Sequence, residues 1–251
     1  MNNDIFDLSD LGIAVKVTKP STPDNKFSTL LYGRMKTGKS TLAASAALVD
    51  SMSPVLWIAA EDGTASFGDT YGDKIDVLRP TGAQQVLDLI YKMTEKDDEG
   101  NLKFPTKYKT VVLDTIGAYQ ELVKHDYIEA RKSMDFEGWA KVADFPTAIV
   151  RELHDSPYNS IFIAHHEKIK DEVSGQMLIM PLMLGKKAVG DIPPIVDNVF
   201  YLGKVDTEDG TVRVLQTQGT QRIDAGGRFE SKLEAQIPDP TFTKIFEAIS
   251  A

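Results

Sequence analysis

The residues best suited to chemistry stand in segment 33–41, which reads G-R-M-K-T-G-K-S-T. The spacing G-x-x-x-x-G-K-S is typical of a loop that wraps a phosphate, because small residues such as Gly33 and Gly38 let backbone N–H groups approach the anion. Lys39 would bring a positive charge to the outer phosphates, Ser40 would offer a hydroxyl to Mg²⁺, and the following helix would add its positive end. The segment therefore predicts a phosphate-binding loop, or P-loop.

The whole segment is a candidate for nucleotide binding, and its flanks support that interpretation. The alternative is a chance match in a turn that contains glycine. An apolar strand at residues 27–32 precedes the segment, and an Ala-rich helix is predicted from Thr41 to about Asp50, which is the context that a P-loop requires. The predicted nucleotide-binding residues are Gly33, Arg34, Met35, Lys36, Thr37, Gly38, Lys39, Ser40 and Thr41.

A second candidate segment is the apolar, mostly β-branched run at residues 108–115, which contains an acidic residue near its end. The run closes on Asp114, as the strand of a Walker B motif does, because its carboxylate must reach Mg²⁺ at the carboxyl edge of the sheet. A strand that ends in Asp is also common before a simple turn. Downstream of a P-loop we favour the metal role, so Ser40 and Asp114 are the predicted magnesium ligands.

Two further strands are predicted to end in polar groups. Residues 54–60 form a near-continuous apolar run that is followed by Glu61, and residues 159–167 form another that ends with His165 and His166. Because the carboxyl ends of parallel strands meet at one edge of a sheet, these groups are expected to lie near the P-loop.

The order of predicted elements indicates the fold class. Strands alternate with helices along the chain, which implies an α/β fold with a mostly parallel sheet and helices on both faces. Residues 1–26 show no sustained period and are predicted to form an amino-terminal arm or an edge strand, whereas residues 27–251 are predicted to form one domain. Further strands are expected at 74–78, 196–202 and 212–217, and further helices at 84–95, 117–132, 139–153 and 242–249, with a loop at 133–139.

Composition narrows the class of protein. The chain has 251 residues, a formal net charge of −9 and no cysteine, so it can have neither disulfides nor a zinc–thiolate site. The acidic balance argues against a wholly basic surface that coats nucleic acid, although it leaves room for a local basic channel. Residues 1–10 do not resemble a signal peptide, and no stretch is long enough to span a bilayer. We expect a soluble cytoplasmic protein with no membrane partner.

Taken together, these motifs resemble the RecA-like P-loop ATPases, and among them the phage-encoded proteins that include the Sak-type single-strand annealing recombinases. The resemblance covers roughly residues 27–250. The P-loop is shared by many families, and the placement of Glu61 together with the strand I-F-I-A-H-H-E at 161–167 narrows the choice. The resemblance implies a RecA-like core, ATP and Mg²⁺, and, for a phage protein, the host cytoplasm.

The same resemblance implies roles for individual residues. Glu61 matches the general base that activates water for ATP hydrolysis, with Asp62 as the weaker candidate and a turn cap as the structural alternative. His165 or His166 would take the place of a sensor of the γ-phosphate, and a structural role for either is the alternative. A metal site at this histidine pair is disfavoured, because adjacent strand residues point to opposite faces. The predicted catalytic residues are Glu61, Lys39, His165 and His166.

The resemblance also implies partners. Residues 168–192 occupy the region of the family's DNA-binding loops, so single-stranded DNA is an expected partner and stimulator, and a single-strand-binding protein is a further one. Arg222 and Arg228 are candidates for a finger that reaches the nucleotide of a neighbouring subunit in a homo-oligomer, although either could be a surface residue. The expected process is DNA recombination or annealing. The alternative is an ATPase with an assembly or regulatory protein partner and no DNA; a small-molecule kinase is disfavoured, because no Arg-rich lid is evident.

Overall fold

The computed structural model describes residues 26–61, 63–170, 172, 175–208 and 210–250. The predicted arm or edge strand lies outside these ranges except for Lys26, and so does Asp62, the alternative general base. The division of the chain into residues 1–26 and 27–251 therefore stays a prediction.

Strands and helices alternate through most of the described chain. The strands are β1 (Ser28–Gly33), β2 (Val55–Ala59), β3 (Ile75–Leu78), β4 (Thr110–Asp114), β5 (Asn159–Lys170), β6 (Met177–Leu182), β7 (Asn198–Thr207), β8 (Gly210–Gln216), β9 (Gly226–Gly227) and β10 (Gln236–Pro238). The helices are α1 (Lys39–Ala44), α2 (Gly68–Tyr71), α3 (Ala83–Thr94), α4 (Ile116–Arg131), α5 (Phe136–Asp155), α6 (Lys186–Ile195) and α7 (Phe242–Ser250).

Within the described residues the strands join in one sheet. Strands β7, β1, β5, β4, β2 and β3 lie side by side in that order and run parallel. Strands β6, β8, β9 and β10 add antiparallel pairs, with β8 on β7 and β6 on β5. The predicted α/β class with a mostly parallel sheet is confirmed.

Helices cover both faces of the sheet, because side chains alternate along each buried strand. On one face Leu30, Leu113 and Phe162 pack against α3, α4, α5 and α6. On the other face Leu31, Trp57 and neighbouring strand residues pack against α1 and α7. Two apolar layers therefore hold the strand ends in fixed register, and this register positions the candidate site.

Two helices differ from their predicted bounds. The helix after the P-loop begins at Lys39 and becomes a 3₁₀ helix at Ser45–Leu48. The predicted loop at 133–139 is wrong in its second half: α5 begins at Phe136, because the Asp135 carboxylate accepts the Gly138 N–H at 2.9 Å and caps the helix.

The prediction of loops over residues 168–192 is also wrong for most of that stretch. Strand β5 continues to Lys170, β6 returns antiparallel to it from Met177, and α6 begins at Lys186. Strand β6 reads M-L-I-M-P-L, and a short continuous apolar run of this kind is itself a strand signal, although lysine and glycine residues flank it.

Two hairpins flank the end of β1. Gly33, its last residue, pairs with His165 of β5 on one side and with Leu202 of β7 on the other. Each of these strands continues five residues further, to Lys170 and Thr207, which corresponds to about 16 Å. The P-loop therefore lies between the β5–β6 and β7–β8 hairpins.

Within the described part of the chain, no helix has both the length and the apolar character that a membrane span requires.

Candidate nucleotide site

The P-loop leaves β1 at Gly33 and enters α1 at Lys39. The backbone requires Gly33 itself, because a β-carbon there would lie 2.2 Å from the carbonyl oxygen of Leu202. Gly38 has a φ of 98° and Lys36 a φ of 62°, which are left-handed conformations that let the loop curl. Arg34, Met35 and Lys36 are exposed, whereas Thr37 and Lys39 are buried. The loop thus has the small-residue cradle that the sequence predicted.

Lys39 turns back beneath this loop. Its Nζ donates to the carbonyl oxygens of Gly33 at 3.0 Å and Arg34 at 3.1 Å. Burial lowers the pKa of Lys39, and the carboxylates of Asp114 and Glu61 partly oppose that shift. The ammonium group is therefore held at the base of the loop, within the field of both acids.

Ser40 and Asp114 meet at the end of β4. Ser40 Oγ donates to Asp114 Oδ2 at 2.9 Å. The pKa of Asp114 is raised to about 6: burial is the main cause and Glu61 adds to it, whereas the Ser40 hydrogen bond and Lys39 oppose the rise. A hydroxyl and a carboxylate are the hard oxygen ligands that Mg²⁺ takes alongside phosphate oxygens, so this pair fits the predicted metal.

Glu61 follows β2 and lies at the same edge of the sheet. Its backbone N–H donates to the Asp114 carbonyl at 3.1 Å. Its Oε1 accepts a hydrogen bond from Thr115 Oγ1 at 2.8 Å and lies 3.3 Å from Nε2 of His165. No hydrogen bond to Oε2 is present within the described residues, so one oxygen of the carboxylate is oriented and the other is accessible.

Thr115 was not predicted as a site residue. It is 1% exposed, and its hydroxyl accepts the Ala118 N–H at 3.2 Å as the cap of α4. A threonine directly before a predicted helix is a recognisable capping signal, but its contact with Glu61 depends on the packing of β2 against β4.

The two histidines separate, as strand geometry requires. His165 contacts Glu61, whereas the ring of His166 lies parallel to that of Tyr201 with centroids 6.1 Å apart. Burial lowers the pKa of His166, and the nearby cations Lys168, Lys39 and Arg34 lower it further. No cluster of three or more His, Cys, Asp or Glu suited to a metal ion occurs in the described ranges.

The two candidate arginines lie in different surroundings. Arg228 Nη1 donates to Asp197 Oδ1 at 2.6 Å, and Asp197 also holds the first residue of β1, because its Oδ2 accepts from the Ser28 N–H at 2.8 Å. This contact is at the opposite edge of the sheet. Arg222 is exposed, and its carbonyl accepts from Ile179 of β6. A role of either residue in a neighbouring subunit stays a prediction.

Residues 25–229 match the AAA domain family over most of the chain. The chain belongs to the AAA domain family. Its AAA domain spans every strand of the parallel sheet and every group of the site described above. No curated protein matches the sequence.

Solved structures show a likeness to the AAA domain at low sequence identity. A KaiC-like protein, PH0186, from the hyperthermophilic archaeon Pyrococcus horikoshii OT3 is 16% identical, with a TM-score of 0.48 and 84% of each chain covered. The RadB recombinase is 18% identical, with a TM-score of 0.45 over 80% of this chain and 84% of that one. These likenesses are similarities only, and the assignment to the AAA domain family comes from the sequence match over residues 25–229.

Proposed function

We propose that this protein is an ATPase that hydrolyses ATP with Mg²⁺ at the P-loop. One observation carries the proposal: Lys39 and Ser40 of the P-loop, Glu61 after β2 and Asp114 of β4 come from three separate segments and meet at one edge of the sheet. A phosphate cradle, a buried ammonium group, an oxygen pair for a metal and a nearby carboxylate are the parts that phosphoryl transfer to water requires.

The residues divide the chemistry between them. Backbone N–H groups of the P-loop and Lys39 would hold the phosphates, and Ser40 and Asp114 would hold Mg²⁺. When bound, the ion neutralises charge that develops on the phosphate oxygens. Glu61 Oε2 would accept a proton from water as the water oxygen bonds to the γ-phosphorus, and the bond from that phosphorus to ADP breaks. Thr115 and His165 would keep Glu61 oriented through Oε1.

We further propose that the protein acts on single-stranded DNA in recombination or annealing, as a homo-oligomer, with a single-strand-binding protein as a second partner. The support is the sequence resemblance together with the β5–β6 hairpin, whose Lys168 and Lys170 are exposed beyond the P-loop edge. Binding of DNA there would act on His165, which lies on the same strand and contacts Glu61.

The test is ATP turnover with and without single-stranded DNA at 50 mM and 200 mM salt. We expect stimulation that falls at the higher salt, because binding to DNA phosphates releases counterions. Lys168→Ala with Lys170→Ala should remove the stimulation and keep basal turnover. Lys74→Ala with Lys109→Ala, at the opposite edge of the sheet, is the matched control.

The second candidate is an ATPase that engages a protein partner and no DNA. Phe136 is 92% exposed and Trp139 is 49% exposed at the start of α5, and exposed aromatic side chains are typical of protein interfaces. Turnover that is indifferent to DNA, together with no gel shift, would remove the DNA hypothesis and leave this one.

A further inference from the structure

A cavity of about 250 Å³ adjoins the P-loop at Gly38 and Thr41. Its walls include Tyr71 at the end of α2, Arg213 of β8, and Asp239 and Pro240 before α7. None of these four residues was predicted from the sequence. They come from three distant parts of the chain, and the proposed roles of phosphate binding, metal binding and water activation use none of them.

Arg213 lies directly against the P-loop. A β-carbon added at Gly38 would be 2.9 Å from its Nε and 3.0 Å from its Cζ, so the flat guanidinium group covers that glycine. Arg213 is exposed, and its side chain has no hydrogen bond or ion pair to another described residue. A planar cation with open faces and free donors is thus held beside the loop that would bind the phosphates.

Asp239 is fixed on the same wall. Its backbone N–H donates to the Arg213 carbonyl at 2.8 Å, and its φ of 43° is left-handed, a conformation that Asp and Asn tolerate best among residues other than glycine. Within the described chain its carboxylate has no hydrogen-bond partner. Tyr71, which is half-buried in the lining of the same cavity, adds an aromatic ring.

We propose that this cavity binds the base of the nucleotide. The inference rests on the proposed function, because it assumes that the phosphates occupy the P-loop. The ring of Tyr71 and the guanidinium of Arg213 offer flat faces on which a base can stack. The Asp239 carboxylate accepts hydrogen bonds only, so it selects a base with an exocyclic amino group, such as adenine, and repels a carbonyl oxygen at that position.

The experiment compares three ligands by calorimetric titration: ATP, ITP, whose base carries a carbonyl where adenine has its amino group, and inorganic tripolyphosphate, which has no nucleoside. Tyr71→Ala and Arg213→Ala should each weaken ATP binding by about five-fold to a hundred-fold, as loss of a stacking partner does. Tripolyphosphate binding should stay unchanged in Tyr71→Ala, which also shows that the P-loop is intact. In Arg213→Ala it should weaken less than ATP binding does, because the loss of the charge beside Gly38 affects both ligands and the loss of stacking affects ATP alone.

Asp239→Asn provides an internal test, because the amide keeps the left-handed backbone and can donate to a carbonyl oxygen. The ratio of ITP to ATP dissociation constants should fall about tenfold. The ratio is measured within one folded variant, so it does not depend on a change in stability. Lys204→Ala is the control for Arg213, because Lys204 is its direct partner on β7 and does not line the cavity.

Two results would overturn the proposal: cavity variants that bind ATP as the wild type does, or variants that lose ATP and tripolyphosphate equally while Asp239→Asn keeps the original ratio. Either result leaves the proposed ATPase intact, provided that the wild type binds and hydrolyses ATP. If the wild type binds neither ATP nor tripolyphosphate, the proposed function itself fails.

Discussion

The Thr115 hydroxyl connects the start of α4 to Glu61: it accepts the Ala118 N–H at 3.2 Å and donates to Glu61 Oε1 at 2.8 Å. The side chain that caps the helix therefore also fixes the orientation of the proposed general base. Because Thr115 follows Asp114 directly, the metal ligand and the support of the base belong to one short segment.

Thr115→Val should lower the turnover number about ten-fold to a hundred-fold with little change in the dissociation constant of ATP, because misplacement of a base costs rate and not ground-state affinity. The lost cap should also cost about 1 kcal/mol of stability. Thr115→Ser should keep both properties. In a Glu61→Gln background the valine should cause no further loss of turnover, and an equal additional loss would contradict action through Glu61.

Glu61→Gln should retain ATP binding and lose about 10²–10⁴ in turnover, because an amide cannot accept the proton of water. Binding and single-turnover hydrolysis of labelled ATP measure the two effects separately. Glu121→Gln is a control on α4, where the carboxylate is exposed and contacts Lys124. Near-normal turnover of Glu61→Gln would move the base elsewhere, with Asp62 as the first residue to examine.

Lys39→Ala should weaken ATP binding or abolish turnover, because the loop loses its buried ammonium group. Lys92→Ala is the control, because it removes an exposed lysine charge from α3, outside the P-loop. Equilibrium titration with ATP and a turnover assay measure both variants. A Lys39→Ala protein that binds and hydrolyses ATP normally would discredit the P-loop assignment.

The raised pKa of Asp114 predicts how the stability of the nucleotide-free protein depends on pH. Its pKa in the folded protein is about 6, raised from 3.8 mainly by burial, so its contribution to stability is present below about pH 3.8 and is lost as pH rises through about 6. The side chain in Asp114→Asn stays neutral at every pH. The free energy of unfolding of this variant should exceed that of the wild type at pH 8 by up to roughly 3 kcal/mol, with no difference near pH 4. Urea unfolding from pH 4 to pH 8 measures this, and a constant difference would contradict it.

Replacement of Arg228 should lower the stability of the protein, whereas replacement of Arg222 should not. Arg228→Ala should destabilise the protein by about 1–3 kcal/mol, because the Asp197 side chain is 10% exposed and loses a charged hydrogen-bond partner. Arg222→Ala, on an exposed loop, should leave stability unchanged. Mixing each arginine variant with a Glu61→Gln subunit tests the finger in a homo-oligomer. If the arginine is dispensable in trans, its alanine variant keeps its own turnover, and the Glu61→Gln subunit adds none.

The expected result for a true finger is different. A subunit that lacks the arginine but has Glu61 should regain turnover only at sites completed by a Glu61→Gln neighbour that still carries the arginine. Restored turnover in mixtures that contain Arg222→Ala would identify Arg222 as the finger, and restored turnover with Arg228→Ala would identify Arg228. Restoration with neither variant would assign both arginines a surface role.

The sequence by itself determined the P-loop, the buried strands that lead to Glu61, Asp114 and His165, and the alternation that makes the sheet mostly parallel. These features are local: spacing, apolar runs and strand ends are properties of neighbouring residues, and parallel strands must bring their carboxyl ends together. The approach of Ser40 to Asp114 followed from that topology alone.

Only the tertiary structure decided which side chains meet across segments. Thr115 reaches Glu61 because β2 pairs with β4, and Arg213 covers Gly38 because the β7–β8 hairpin extends beside the P-loop. The ion pair of Arg228 with Asp197 likewise depends on packing. Such contacts join residues far apart in the chain, and a single sequence carries no periodic signal for them.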